Sequence, residues 1–204
     1  MSNIYSVTHY RKLLKVDMYL KGLINIGYNF KVKGASYSWG KLTTNQVNNV
    51  NIAKRDAFYV DKRIPKQHRS NTNDYIRSGY DRGHLMSDAS YDDNTKDLHA
   101  VYKLSNIVPQ APHINRHVWF GFEKYSRDIT TKLKYTYVIN IMLYKDKVIT
   151  NNVGVPHIMY KIIINKKHKF LKIFRVQQDS TVKGLEPYIS DVETLKKEIK
   201  IYHK

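Results

Sequence analysis

The longest apolar stretches of this chain have the length of strands rather than of membrane spans. Residues 134–148, KYTYVINIMLYKDKV, and 157–177, HIMYKIIINKKHKFLKIFRVQ, are runs of β-branched and aromatic residues broken by polar turns. They predict neighbouring strands of one antiparallel sheet. Towards the N-terminus, residues 4–10, 16–22 and 24–32 mix the same residue types with polar ones and read as short strands, as does AFYV at 57–60. Residues 101–110 read as a strand ending in a proline turn, while 33–56 and the stretch after residue 86 read as loops. Residues 113–131 form the clearest helical pattern. Ser190, with Glu193 three positions on, marks a capping-box start for a short final helix.

Composition narrows the class. The chain has 204 residues, 42% hydrophobic and 25% charged, which suits a soluble globular domain with a sizeable core. No internal repeat or Pro/Gly/Ser-rich linker divides it, so residues 1–204 are expected to form a single domain. No apolar run reaches the length of a membrane span. With no cysteine, disulfides, thiolate-bound zinc and cysteine nucleophiles are excluded. The N-terminal residues contain no apolar segment of secretory length, so the chain reads as cytoplasmic, with a viral or phage origin or export after trimming as alternatives.

Charge changes the picture most. Thirty-five Lys and Arg against 17 Asp and Glu give +18, spread along the chain rather than held in a tail. Solubility asks for a net charge of only about 2–8 in a small domain. The excess points to a polyanion, nucleic acid first and an anionic membrane surface second.

Two segments carry candidate chemistry. On a helix of about 100° per residue, Val118, Phe122, Tyr125 and Ile129 fall within roughly 60° and form a core-facing stripe. With Asn115 set at zero, Glu123 lies about 80° round and Arg127 about 120° round. The plain reading is an amphipathic helix with an exposed i,i+4 ion pair between Glu123 and Arg127. The chemical reading is a side that holds a hydrated divalent ion and a phosphate. Mg²⁺ keeps much of its water and takes few protein oxygens, so Asn115 would be a direct ligand and Glu123 would hold metal-bound water. Arg127 would face the phosphate. A base is still needed, and His84 in SGYDRGHLM (78–86) supplies an imidazole that is neutral at physiological pH.

These residues carry a family resemblance. Asp81-Arg82-Gly83-His84, led in by DYIRSGY, and the block LSNIVPQAPHINRHVWFGFEKYSRDI some thirty residues on resemble the DNA/RNA non-specific endonucleases of the ββα-metal superfamily, the group that includes endonuclease G. The likeness covers roughly residues 50–165. It implies an α+β fold, a ββα-metal core within an antiparallel β-sheet flanked by helices. It implies Mg²⁺-dependent hydrolysis of DNA and RNA, with Mn²⁺ able to substitute. His84 would be the general base, Asn115 the metal ligand, Glu123 the holder of metal-bound water, and Arg127 a phosphate contact. Arg82 would support the site or the scissile phosphate, Asn106 would orient it, and Arg55 would be a further basic substrate contact. Asp81 would tie down a bend that Gly83 permits. Homodimers belong to the same expectation, whereas a membrane does not. An unrestrained nuclease would endanger its own genome, so a protein inhibitor, an export route or a viral or phage setting is expected as well.

The rival reading is a basic nucleic-acid-binding protein without catalysis, which explains +18 but leaves the His84, Asn115 and Glu123 set to chance. DASYDDNTKD (88–97) as a Ca²⁺ loop lacks the central glycine and final glutamate of an EF-hand. The basic run from Lys161 to Arg175 either extends the substrate grip or protects a sheet edge.

Overall fold

The computed structural model describes residues 4–49 and 51–203. Its framework is a seven-stranded sheet in the order β1-β2-β3-β6-β7-β8-β9, antiparallel throughout. The strands are β1 (Met18–Leu20), β2 (Asn25–Asn29), β3 (Gly34–Thr43), β6 (Tyr135–Val148), β7 (Gly154–Asn165), β8 (Phe170–Gln177) and β9 (Ile189–Ser190). A separate ribbon pairs β4 (Asp81–His84) with β5 (Ile107–Gln110). Helices are α1 (Val7–Arg11), α2 (Thr44–Asn48), α3 (Thr95–Val101), α4 (Phe120–Leu133) and α5 (Val192–Tyr202), and a π-helical turn (Ile114–Trp119) runs directly into α4. The fold is α+β, an antiparallel sheet flanked by helices. No helix among the described residues is long and apolar enough to cross a membrane.

The central strands read as nearly continuous apolar runs because both of their faces are buried. Alternate residues of β6 and β7 feed two cores. Ile139, Ile141, Ile158, Tyr160, Ile162 and Ile164 pack with Tyr10, Leu14, Leu195 and Ile199 of the N- and C-terminal segments. On the opposite face Val138, Met142, Met159 and Ile163 pack with Trp119, Phe122, Leu85 and Val108, so this face carries the ribbon and α4. Phe122 stacks on Phe174 of β8 with ring centroids 4.5 Å apart, and Val118, Tyr125 and Ile129 join the same core, as the helical stripe predicts.

Several expectations give way. Residues 7–11 are helical, not part of a strand, because Tyr10 is needed as a buried anchor beneath the sheet. The expected loop at 33–56 contains the ten-residue β3, followed by α2. Its polar look comes from Ser36 and Ser38, both fully buried, and from Gly40, where an added Cβ would lie 2.4 Å from the Tyr91 hydroxyl. AFYV contributes only an isolated bridge from Tyr59 to Lys103. The expected strand 101–110 is extended only over β5, with a helical turn at Leu104–Asn106 before it. The last helix is capped one residue later than expected, by Asp191, whose side chain accepts from the Thr194 amide.

Candidate active site

In the β4–β5 ribbon Asp81 faces Gln110, Arg82 faces Pro109, Gly83 faces Val108 and His84 faces Ile107. The segment is extended, so Gly83 does not serve a bend. It serves a close approach: a Cβ there would lie 2.1 Å from Oε1 of the fully buried Gln110. The left-handed residues are Arg77, φ +54°, and Gly79, φ +79°, in the turn leading in.

The π turn is tied to this ribbon at both ends. Asn115 Nδ2 donates to Asp81 Oδ2 at 3.0 Å, and Trp119 Nε1 donates to the His84 carbonyl at 2.9 Å. π turns carry one extra residue per turn and so rotate what precedes them relative to an α-helix. The phase of Asn115 against Glu123 and Arg127 is therefore not that of the continuous helix expected. Since a carboxylate only accepts, Asp81 fixes which way the Asn115 amide faces. Its oxygen is left without a hydrogen bond among the described residues. Arg116 closes the other side of Asp81 with two bonds of 2.9 Å. Burial alone would raise the Asp81 carboxyl, but Arg116 and Asn115 hold it below the usual carboxylate range.

His84 ends β4 with its ring edge-on to Tyr102 at 4.9 Å and tilted against Phe58 at 5.3 Å. Its Nε2 is buried and has no hydrogen-bond partner among the described residues. Burial pushes the imidazole down to about 4, with Arg55 adding to the fall and Asp88 opposing it. The backbone that follows is clamped. The Leu85 amide donates to the Asn106 carbonyl, and Asn106 Oδ1 accepts from the Met86 amide. Asn106 Nδ2 donates to the carbonyls of Met86 and Val101. Asn106 thus spends its side chain on the scaffold behind His84.

Arg82 Nη2 donates to the Thr72 carbonyl at 2.9 Å, and its guanidinium lies over Phe58 and Tyr75, while Nε is buried and unpartnered. Arg127 Nη1 donates to Ser87 Oγ at 3.2 Å and makes no ion pair with Glu123 among the described residues, contrary to the expected i,i+4 pair. Glu123 makes no hydrogen bond or ion pair among those residues. Burial pushes its carboxyl up, against the pull of Lys161 and Arg127. Arg55 is half-committed: Nη2 bonds Asp92 at 2.9 Å and Nε lies 3.7 Å from Asp88. The supposed Ca²⁺ loop has its oxygens committed in the same way, Asp88 also accepting from Tyr102 at 2.8 Å.

The Lys161–Arg175 run spans the inner strand β7, the hairpin tip and β8, whose outer side pairs with β9 only at Ile173 and Phe174. Arg175 bonds Glu198 of α5 at 2.7 Å. Lys161 is buried, donating to the Leu85 carbonyl at 3.1 Å and to Asn140 Oδ1 at 2.7 Å, with its ammonium over the Trp119 ring. Only the hairpin tip, with Lys166, Lys167 and Lys169, is exposed.

The ribbon carries Asp81 and His84, the π turn tied to it carries Asn115, and α4 carries Glu123. The family model of the DNA/RNA non-specific endonucleases matches residues 16–200. The chain belongs to this family. Human mitochondrial endonuclease G is 30% identical over 141 residues, which are 69% of this chain and 46% of that protein. The Bos taurus endonuclease G is 35% identical over 111 residues, 54% of this chain and 36% of that protein. A nuclease of Nostoc is 31% identical over 157 residues, 74% of this chain and 56% of that protein. The matches therefore span about half the length of these relatives or less. A crystal structure of an EndoG/EndoGI complex, concerned with EndoG inhibition, superposes with a TM-score of 0.82 at 24% identity, over 98% of this chain and 91% of that one. That likeness is one of fold.

Sequence reasoning did not place four residues at the site: Lys161 and Asp88, which it read as part of a basic run and of a loop, and Ser87 and Tyr102. Lys161 had a usable signal, a single cation flanked by apolar residues in IMYKIII. The other three lie in polar or mixed segments where nothing marks them.

Proposed function

We propose that this chain is a Mg²⁺-dependent endonuclease that hydrolyses phosphodiester bonds of both DNA and RNA. The observation that carries the reading is two polar groups without hydrogen bonds on elements tied to each other. Among the described residues His84 Nε2 is buried without a partner, and Asn115 Oδ1 accepts no hydrogen bond while its amide is locked on Asp81.

The donor set fits Mg²⁺. Among the described residues no group of three or more His, Asp or Glu side chains gathers as a transition-metal cage would. Mg²⁺ asks for less, one or two protein oxygens and its own water. Asn115 Oδ1 would be the direct ligand, and the carboxylate of Glu123, which makes no hydrogen bond or ion pair among the described residues, would hold the hydration shell. When bound, the ion supplies charge stabilisation at the phosphate and at the departing oxygen.

The chain's own groups do the rest. Neutral His84 accepts a proton from a water molecule placed for in-line attack on phosphorus, a role that typically contributes about 10²–10⁴ in rate. Asn106, Trp119 and Lys161 keep the His84 backbone from yielding as the proton arrives. Arg82 and Arg127 face the phosphate charge, and Arg55, close enough to His84 to lower its basicity, is a further basic contact for substrate. Recognition through phosphate rather than base edges leaves sequence and sugar preference weak. A protein inhibitor is part of this reading, by analogy with the EndoG/EndoGI complex.

The test is cleavage of supercoiled plasmid and of unstructured RNA, with Mg²⁺ and with EDTA, beside His84→Ala. Loss of both substrates only with Mg²⁺, and at least a hundredfold less in the variant, is expected. Binding without cutting under every metal tried would replace the enzyme by a binding protein.

A further inference from the structure

A groove of about 670 Å³ is lined by Lys33, Lys62, Lys66, Arg69, Asn71 and Asn151, together with Val60 and Gln67. No carboxylate lines it. The acids nearest in sequence are already satisfied from within. Asp61 is held by Arg63 and by the Ser105 hydroxyl at 2.7 Å. Asp74 is buried, accepting from the Asn71 amide at 2.6 Å and from Asn151 Nδ2 at 3.3 Å. Lys62 and Lys66 are exposed and make no ion pair or side-chain hydrogen bond among the described residues. Arg69 is braced by the carbonyls of Ile64 and Lys62, and Lys33 by Asn151 Oδ1, so two of the four cations are held in place before any ligand arrives.

Arg82 links the groove wall to His84 through a chain of contacts. It donates to the carbonyl of Thr72, the neighbour of Asn71, and its guanidinium lies over Phe58, whose ring touches His84. Val60, in the groove wall, stands two residues beyond Phe58.

We propose that this groove is an extended subsite for the sugar-phosphate backbone of the substrate strand, lying to one side of the cleaved bond, with Lys62 and Lys66 as its mobile phosphate contacts. The proposal rests on the nuclease reading above. A free phosphate would meet the same cations, but a chain of phosphates at regular spacing engages several at once.

Lys62→Glu/Lys66→Glu is compared with Lys166→Glu/Lys167→Glu, which makes the same charge change on the β7–β8 hairpin tip outside the groove. The ratio of kcat/KM on long duplex DNA to that on a dinucleotide phosphodiester is expected to fall about tenfold or more in the groove variant and to hold in the hairpin variant. The same pair of changes in the His84→Ala protein measures duplex binding without cleavage. There the slope of log affinity against log salt should shrink by about 2 for the groove variant alone. Equal effects from both variants would reduce the groove to net charge, and no effect from either would remove it. Competition of duplex binding by inorganic phosphate at concentrations equal in phosphorus would also overturn the extended subsite. So would loss of binding to phosphatidylserine vesicles with duplex binding intact. If the wild type cuts nothing, the nuclease reading fails, while the binding arm still decides the groove.

Discussion

At the scale of the residue, two locks would set the proposed chemistry. The first is Asp81 on the Asn115 amide. Polar partners of a metal ligand commonly contribute about 10–100-fold in metal affinity or activity. Asp81→Ala should therefore raise the Mg²⁺ concentration for half-maximal cleavage by roughly that factor, with circular dichroism unchanged. A metal titration that superposes on the wild type would show that the amide needs no such lock. The second is the burial of His84, whose imidazole is pushed down to about 4. A base works in its neutral form, so cleavage should persist at pH 5.5 and its acid limb should fall between about pH 4 and 5 instead of near the free value of about 6.5. The same shift bears on stability. The unfolded chain takes up this proton near pH 6.5 and the folded one only near 4, so the His84 contribution is present above 6.5 and is lost as pH falls across that window. A kcat/KM profile bending at 6.5 would mean that the ring is solvated in the free enzyme.

At the scale of the element, the sequence was legible where one periodicity ruled and opaque where two demands met. β6, β7, β8 and the stripe Val118–Phe122–Tyr125–Ile129 follow from burial alone, and the two motif blocks led to His84 and Asn115. β3 was hidden because the core face beneath the site asks for small polar residues, Ser36 and Ser38, in place of the usual β-branched ones. The π turn was hidden because periodicity assumes 3.6 residues per turn, whereas the hold of Asp81 on Asn115 and of His84 on Trp119 selects a wider one. Gly83 shows the same limit: it looked like a hinge and is a spacer for Gln110. Gly83→Ala should therefore act through crowding, costing about 1–3 kcal/mol, or roughly 2–4 °C of melting temperature per kcal/mol in a chain of this size. An unchanged melting temperature would show that Gln110 swings aside freely, and the close approach would not be the reason for the glycine.

At the scale of the whole molecule, the charge of +18 is not distributed as its sum suggests. Part of the cationic sequence is spent internally: Lys161 in the core, Arg175 on Glu198, Arg63 on Asp61 and Arg116 on Asp81. Acids are spent in the same pairs, so the surface keeps an excess of unpaired lysine. Such a surface binds polyanions by releasing their counterions, and the salt dependence counts the phosphates engaged. For the His84→Ala protein, raising salt from about 50 to 200 mM should weaken duplex binding by roughly 10³ or more if six or more phosphates are neutralised. Duplexes of unrelated sequence should compete equally, since phosphate contacts carry no sequence information. A slope worth one or two phosphates would confine the grip to Arg82 and Arg127 at the site, and the remaining charge would then have no part in holding substrate.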